Sequence, residues 1–166
     1  MTYCSSATLG VDVTTATSAT PEFQVGAKVN VTDGGEAIYV KAGASNLAAG
    51  DVVLISPAGV AVGATTTNTD NVLTAAYLIG VTHVAITATQ YGWACIKGKP
   101  TAGINVAASC VLGVPLYTTA TAGRVDDTAT NGAIFGMMLT ETCGGVAAVT
   151  PGVLSNPVLA EGTAGA

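Results

Sequence analysis

Nearly every window of this chain long enough to hold three helical turns is interrupted by glycine or by a β-branched residue, and that feature confines it to strands and turns. With 21 glycines in 166 residues, no long segment escapes a residue that costs a helix about 1 kcal/mol. The valines, isoleucines and threonines between them lose rotamer freedom in a helix but pack well on a pleated surface. At most one short helix is expected, over residues 71–76 or 104–108.

The strand pattern is cleanest near the start of the body. Phe23, Val25, Ala27, Val29 and Val31 alternate with Gln24, Gly26, Lys28 and Asn30, which is the period of a half-buried strand. Thr32-Asp33-Gly34-Gly35 supplies a tight turn, and Ala37-Ile38-Tyr39-Val40-Lys41 returns as the second arm of a hairpin. Short apolar runs follow at 52–55, 60–62, 77–86, 93–97, 116–118, 133–139 and 146–149, each bounded by Gly, Pro or Asn. Their spacing predicts an all-β body, an antiparallel β-sandwich or a barrel.

An internal echo suggests two related β units, over residues 47–99 and 110–150. Gly50-Asp51-Val52-Val53-Leu54-Ile55 matches Gly113-Val114-Pro115-Leu116-Tyr117-Thr118, and the segment 76–81 matches 132–137. Residues 1–21 carry almost no charge and no sustained period, so they read as an extended N-terminal arm. The body spans 22–155, and the small residues of 156–166 read as a flexible tail.

Charged residues make up only 9% of the chain against 49% hydrophobic, where soluble domains usually carry roughly 25% charged. Such a surface is expected to be covered by neighbours in an assembly. A net charge of -5 with scattered Lys28, Lys41, Lys97, Lys99 and Arg124 gives no footprint for nucleic acid. The segment from Met1 shows neither a basic nor an apolar leader pattern, and no apolar run approaches the ~18 residues that span a bilayer, so a chain made in the cytoplasm and soluble there is expected.

Motifs for chemistry are sparse. His83 is the one histidine, in Val81-Thr82-His83-Val84-Ala85-Ile86, and alternation gives it a buried or interface position in a strand. Cys4, Cys95, Cys110 and Cys143 lack metal or redox spacing and read as small buried hydrophobes; a Cys95–Cys110 bridge would require their strands to face one another. Asp126-Asp127 is the only adjacent acidic pair and reads as a solvated turn rather than a calcium site. No catalytic residue, cofactor or metal is expected. Trp93, in Gln90-Tyr91-Gly92-Trp93-Ala94, reads as a core or seam anchor.

Three segments carry a resemblance. Asp33-Gly34 leading to Ile38-Tyr39-Val40-Lys41-Ala42, the strand Tyr91-Gly92-Trp93-Ala94 with Gly98 after it, and Ala108-Ser109-Cys110 leading to Leu116-Tyr117-Thr118-Thr119-Ala120-Thr121-Ala122-Gly123 resemble the capsid decoration, or cement, proteins of tailed phages. The resemblance covers residues 22–149 and carries no residue-level binding site. It implies a non-catalytic protein on the outer surface of the virion, with the major capsid protein as partner and self-association, a trimer ahead of a dimer. The arm is then expected to add a strand to a capsid sheet edge, through Leu9, Val11, Val13, Thr15 and Phe23, with Tyr91 and Trp93 at an oligomer seam. The rivals are a virion glycan- or receptor-binding module stacking sugars on Trp93, Tyr91 and Tyr77, a hydrolase using His83, and the major shell protein itself.

Overall fold

Lys28–Val31 (β1) and Gly35–Ala42 (β2) form the hairpin that the alternation predicts, with Lys28 opposite Ile38 and Val31 opposite Gly35. The computed structural model describes residues 11–15, 17–31, 34–69, 77–129 and 132–159, so the turn residues Thr32 and Asp33 lie outside it. β1 is shorter than the alternating run because Gly26 takes φ +88° and turns the chain, although Ala27 still accepts a bond from Tyr39 N–H.

Four more strands complete the first unit: Val52–Ile55 (β3), Val60–Gly63 (β4), Leu78–Thr82 (β5) and Tyr91–Gly98 (β6). They pair in the order β2-β4-β3-β5-β6, and β6 pairs again with β2, closing a five-stranded barrel. The antiparallel expectation needs one amendment. β4 runs parallel to β2, because β3 lies on its far side. The interior is filled by Ile38, Val40, Val53, Ile55, Ala61, Ala94 and Ile96.

The outer sides of these strands are covered too. Val52, Leu54, Ile79 and Val81 belong to a core shared with the second half of the chain, while Ala37, Tyr39 and Trp93 pack with Val13, Val29 and Val31. Coverage on both sides is why 52–55 is apolar at every position. Each large side chain so buried contributes about 1.5–3 kcal/mol.

The second half holds Ile104–Val106 (β7), Leu116–Thr118 (β8), Val125–Asp126 (β9), Ala133–Leu139 (β10), Ala148–Thr150 (β11) and Gly152–Leu159 (β12). Its pairing repeats the first. β9 is parallel to β7 and antiparallel to β8, β8 pairs β10, and β10 pairs β12; β11, separated from β12 by Pro151 alone, returns to β7. β11 and β12 together take the place of β6.

The registers align residue by residue. Ala42 faces Ala61 as Val106 faces Val125, and Ile55 faces Ala61 as Thr118 faces Val125. Val53 therefore corresponds to Leu116. Val53 faces Gly80 where Leu116 faces Ile134, so Gly80 matches Ile134, two residues short of the Gly136 that the sequence echo selects. Even the connecting loops agree: Ile86 N–H donates to Leu47 O, and Cys143 N–H to Cys110 O, at the corresponding place.

Two boundaries differ from those expected. β12 continues to Leu159, so residues 156–159 are strand rather than tail; a register shift opposite Gly136 and the positive φ of Asn156 absorb the irregular Ser155-Asn156-Pro157. The one helix described is a single turn at Thr66–Thr69 (α1), started by reciprocal bonds between Thr65 and Asn68. Residues 104–108 are β7 and a turn, and 71–76 lie outside the described residues. No helix among the described residues is long and apolar enough to cross a membrane.

Candidate functional site

The described part of the leading segment lies on the chain's own body. Asp12 accepts from both Thr14 N–H, at 2.8 Å, and Thr14 Oγ1, at 2.6 Å; these bonds hold its carboxyl below the ordinary range. The resulting turn places Val13 inward, at 0% exposure. Ser18 and Tyr91 then exchange backbone bonds, an isolated bridge that ties this end of the segment to β6. Val11 and Phe23 pack half-buried on the same cluster, Thr15 is exposed, and Leu9 lies outside the described residues. Val13 thus gives way as a contact for another protein: its surface is spent on the barrel.

Trp93 is likewise interior, 5% exposed, with ring centroids 5.0 Å from Tyr39 and 5.3 Å from Phe23. Tyr91, half-buried, stacks on Tyr39 at 6.1 Å and carries the Lys41 ammonium 5.6 Å from its centroid. The indole serves the chain's own packing rather than a seam between copies, and Tyr91 alone of the pair reaches the surface.

The titratable groups are tied into local structure. Thr101 N–H donates to His83 Nδ1 at 3.2 Å, which joins the end of β5 to the connection between β6 and β7 and leaves the proton of the neutral ring on Nε2. Burial lowers the pKa of His83 from 6.5 to about 4. Between those two values the unfolded chain binds a proton that the folded chain refuses, so stability present above pH 6.5 is lost as the pH falls. The loss should reach about 3 kcal/mol by pH 4, at about 1.4 kcal/mol per unit. Denaturation midpoints measured from pH 7 to 4 should fall steeply for the wild type and clearly less for His83→Gln; parallel curves would exclude His83 as the cause.

Cys110 Sγ and the carboxylates of Asp126 and Asp127 lie within 4.8 Å of one another. Their bonds point inward to the loop: the thiol donates to Asp126 Oδ1 at 3.5 Å, and Asp127 Oδ2 accepts from Val111 N–H at 2.8 Å. Burial first, then the two carboxylates, push the thiol up to about 11, so it is held protonated as a donor. Cys110 is a free thiol, and the Cys95–Cys110 bridge does not form, because Cys95 sits on the first barrel and Cys110 in a loop of the second unit. The concave surface includes an open depression of about 340 Å³, lined by Lys99, Thr101, Thr140 and Glu141 among others, and one of about 330 Å³ beside Asn46, Asp51 and Asn68.

What stands out instead is a sheet face. On the outer side of β10 and β12, Phe135 is 55% exposed opposite Val158 at 58%, and Met138 is 46% exposed opposite the half-buried Val153. Neither strand contains a charged residue. No family model, curated protein or solved structure matches the chain. The face therefore has to be read from its own chemistry.

Sequence reasoning missed these four residues. The run Ala-Ile-Phe-Gly-Met-Met-Leu is apolar at every position, like 52–55, and composition does not distinguish a strand covered on both sides from one covered on one.

Proposed function

We propose that this chain is a structural component of a tailed-phage head, a decoration protein that lies on the outside of the assembled shell and acts by contact rather than by catalysis. The observation that carries this reading is the uncharged outer face of β10 and β12, where Phe135, Met138 and Val158 are exposed beside the half-buried Val153; Val111, Leu112 and Val146 add exposed apolar side chains elsewhere on the body. Contiguous exposed apolar surface of this kind marks a site that works against other protein. The resemblance of the 33–42, 91–98 and 108–123 segments to cement proteins supplies the partner class, the major capsid protein. Many copies on a symmetric shell multiply a modest contact into firm attachment.

The glycan-binding reading loses its central ring, since Trp93 has almost no face to offer a sugar. The test is to mix the purified chain with undecorated heads of the virus that encodes it and image them by electron microscopy. Added density on the outer surface, with heads that withstand greater heat or osmotic shock, is the expected result. Heads that stay bare at saturating protein would sink the proposal.

A further inference from the structure

We infer that two copies of this chain dock on one another through the outer face of β8, β10 and β12, related by a two-fold axis. The inference names the partner at the face on which the proposed function rests, but it stands on a mismatch between the two repeats.

The aligned registers make Val52, Leu54, Ile79 and Val81 of the first unit the equivalents of Pro115, Tyr117, Ala133 and Phe135 of the second. In the first unit all four are buried in the shared core, Val81 at 0% exposure, because the second unit lies on them. In the second unit Pro115 and Phe135 are exposed and Tyr117 and Ala133 only half-buried. The same face of the same fold is covered once and open once among the described residues. What covers it in the first unit is the second unit of the same chain, and the counterpart face in the second unit is left without that cover.

The internal contact cannot repeat head to tail. The second unit holds the first through Gly123, whose carbonyl accepts from Val52 N–H at 2.9 Å, and Asn105, whose N–H donates to Gly50 O at 2.8 Å. Their equivalents in the first unit are Gly59 and Lys41. In the first unit those two groups bond to each other, Lys41 N–H donating to Gly59 O at 3.0 Å, and Val25 packs directly on Gly59. A second copy has no matching surface to present, so the internal contact does not propagate from copy to copy. The two open faces are left to meet each other. An isologous contact needs one self-complementary patch, and an uncharged sheet face centred on Phe135 and Val158 loses little hydration energy when paired.

The test uses the full chain without any heads. Sedimentation equilibrium at about 100 μM, where an interface of micromolar affinity is populated, should give twice the chain mass. Phe135→Asp and Val158→Asp should each give the chain mass, and should melt like the wild type at concentrations too low to populate the dimer, since both side chains are exposed; Val62→Asp, exposed on the first unit, should stay dimeric. A wild-type monomer, a trimer or larger assembly, or a dimer indifferent to both face substitutions would overturn the inference. Shell attachment is scored separately: a monomer that coats heads sinks the dimer alone, and a dimer that ignores heads sinks the proposed function alone.

Discussion

Gly123→Ala is expected to lower the stability of the fold by about 4 kcal/mol, a large part of the roughly 5–15 kcal/mol that holds a domain of this size. Gly123 takes φ +76°, a region that costs an L-residue about 1–3 kcal/mol. Space is the second term. A Cβ there would stand 2.5 Å from Asp51 Cγ and 2.7 Å from Oδ1, so the carboxylate must move. Asp51 is 7% exposed and accepts from Ala48 N–H at 2.7 Å and from Asn105 Nδ2 at 2.9 Å; displacing it leaves buried partners unsatisfied at about 1–3 kcal/mol each. Gly123 N–H and C=O also bond to Ala64 and Val52, so the backbone cannot retreat without opening the seam between the units. Gly113 is the control, with φ +74° and nothing within 4 Å of an added Cβ. Gly113→Ala should cost only the conformational term, about 1 kcal/mol. Equal losses for the two variants in urea denaturation would mean that the Asp51 contact contributes nothing.

The sidedness of this fold was legible in the sequence, and its pairing was not. Alternation over 28–31 and the turn glycines place β1 and β2, and the bounded runs at 116–118 and 133–139 coincide with β8 and β10. The echo between Gly80 and Gly136 misses the true register by two residues, yet a two-residue slip keeps every side chain on its own face, so related units were detectable despite it. Closure of a barrel rather than a sandwich depends on Ile38 meeting Ala94 across more than fifty residues, which no local pattern encodes. β12 was hidden by Ser155-Asn156-Pro157, whose turn chemistry is absorbed by a bulge that only its partner strand reveals. The open face is the hardest case: Phe135 and Val81 look alike in sequence, and what separates them is which one another unit happens to cover.

Trp93→Ala should cost about 3–5 kcal/mol and free the leading segment before the barrel itself unfolds. The indole lies on the outer side of β6, between the barrel and the residues that cover it: Tyr39 and Phe23 pack on it at 5.0 and 5.3 Å, and Val13 completes the same cluster. Truncation leaves a void that neither ring can fill without abandoning its own contacts, since Tyr39 is tied through its hydroxyl to Glu22 N–H at 3.1 Å. The barrel interior, built from Ile38, Val40, Val53, Ile55 and Ala94, does not include Trp93, so β2 to β6 keep their own core while residues 11–23 lose their anchor. Limited proteolysis should therefore cut the variant near Phe23 at protease levels that spare the wild type, with the melting point lowered as well. Trp93→Phe, which keeps an aromatic ring against Tyr39, should recover most of both effects. A Trp93→Ala protein that resists protease and melts like the wild type, but no longer binds an oligosaccharide, would put the indole at the surface. That outcome would require Val13 and Phe23 to lie elsewhere, and with them the covered end on which the two-fold arrangement depends.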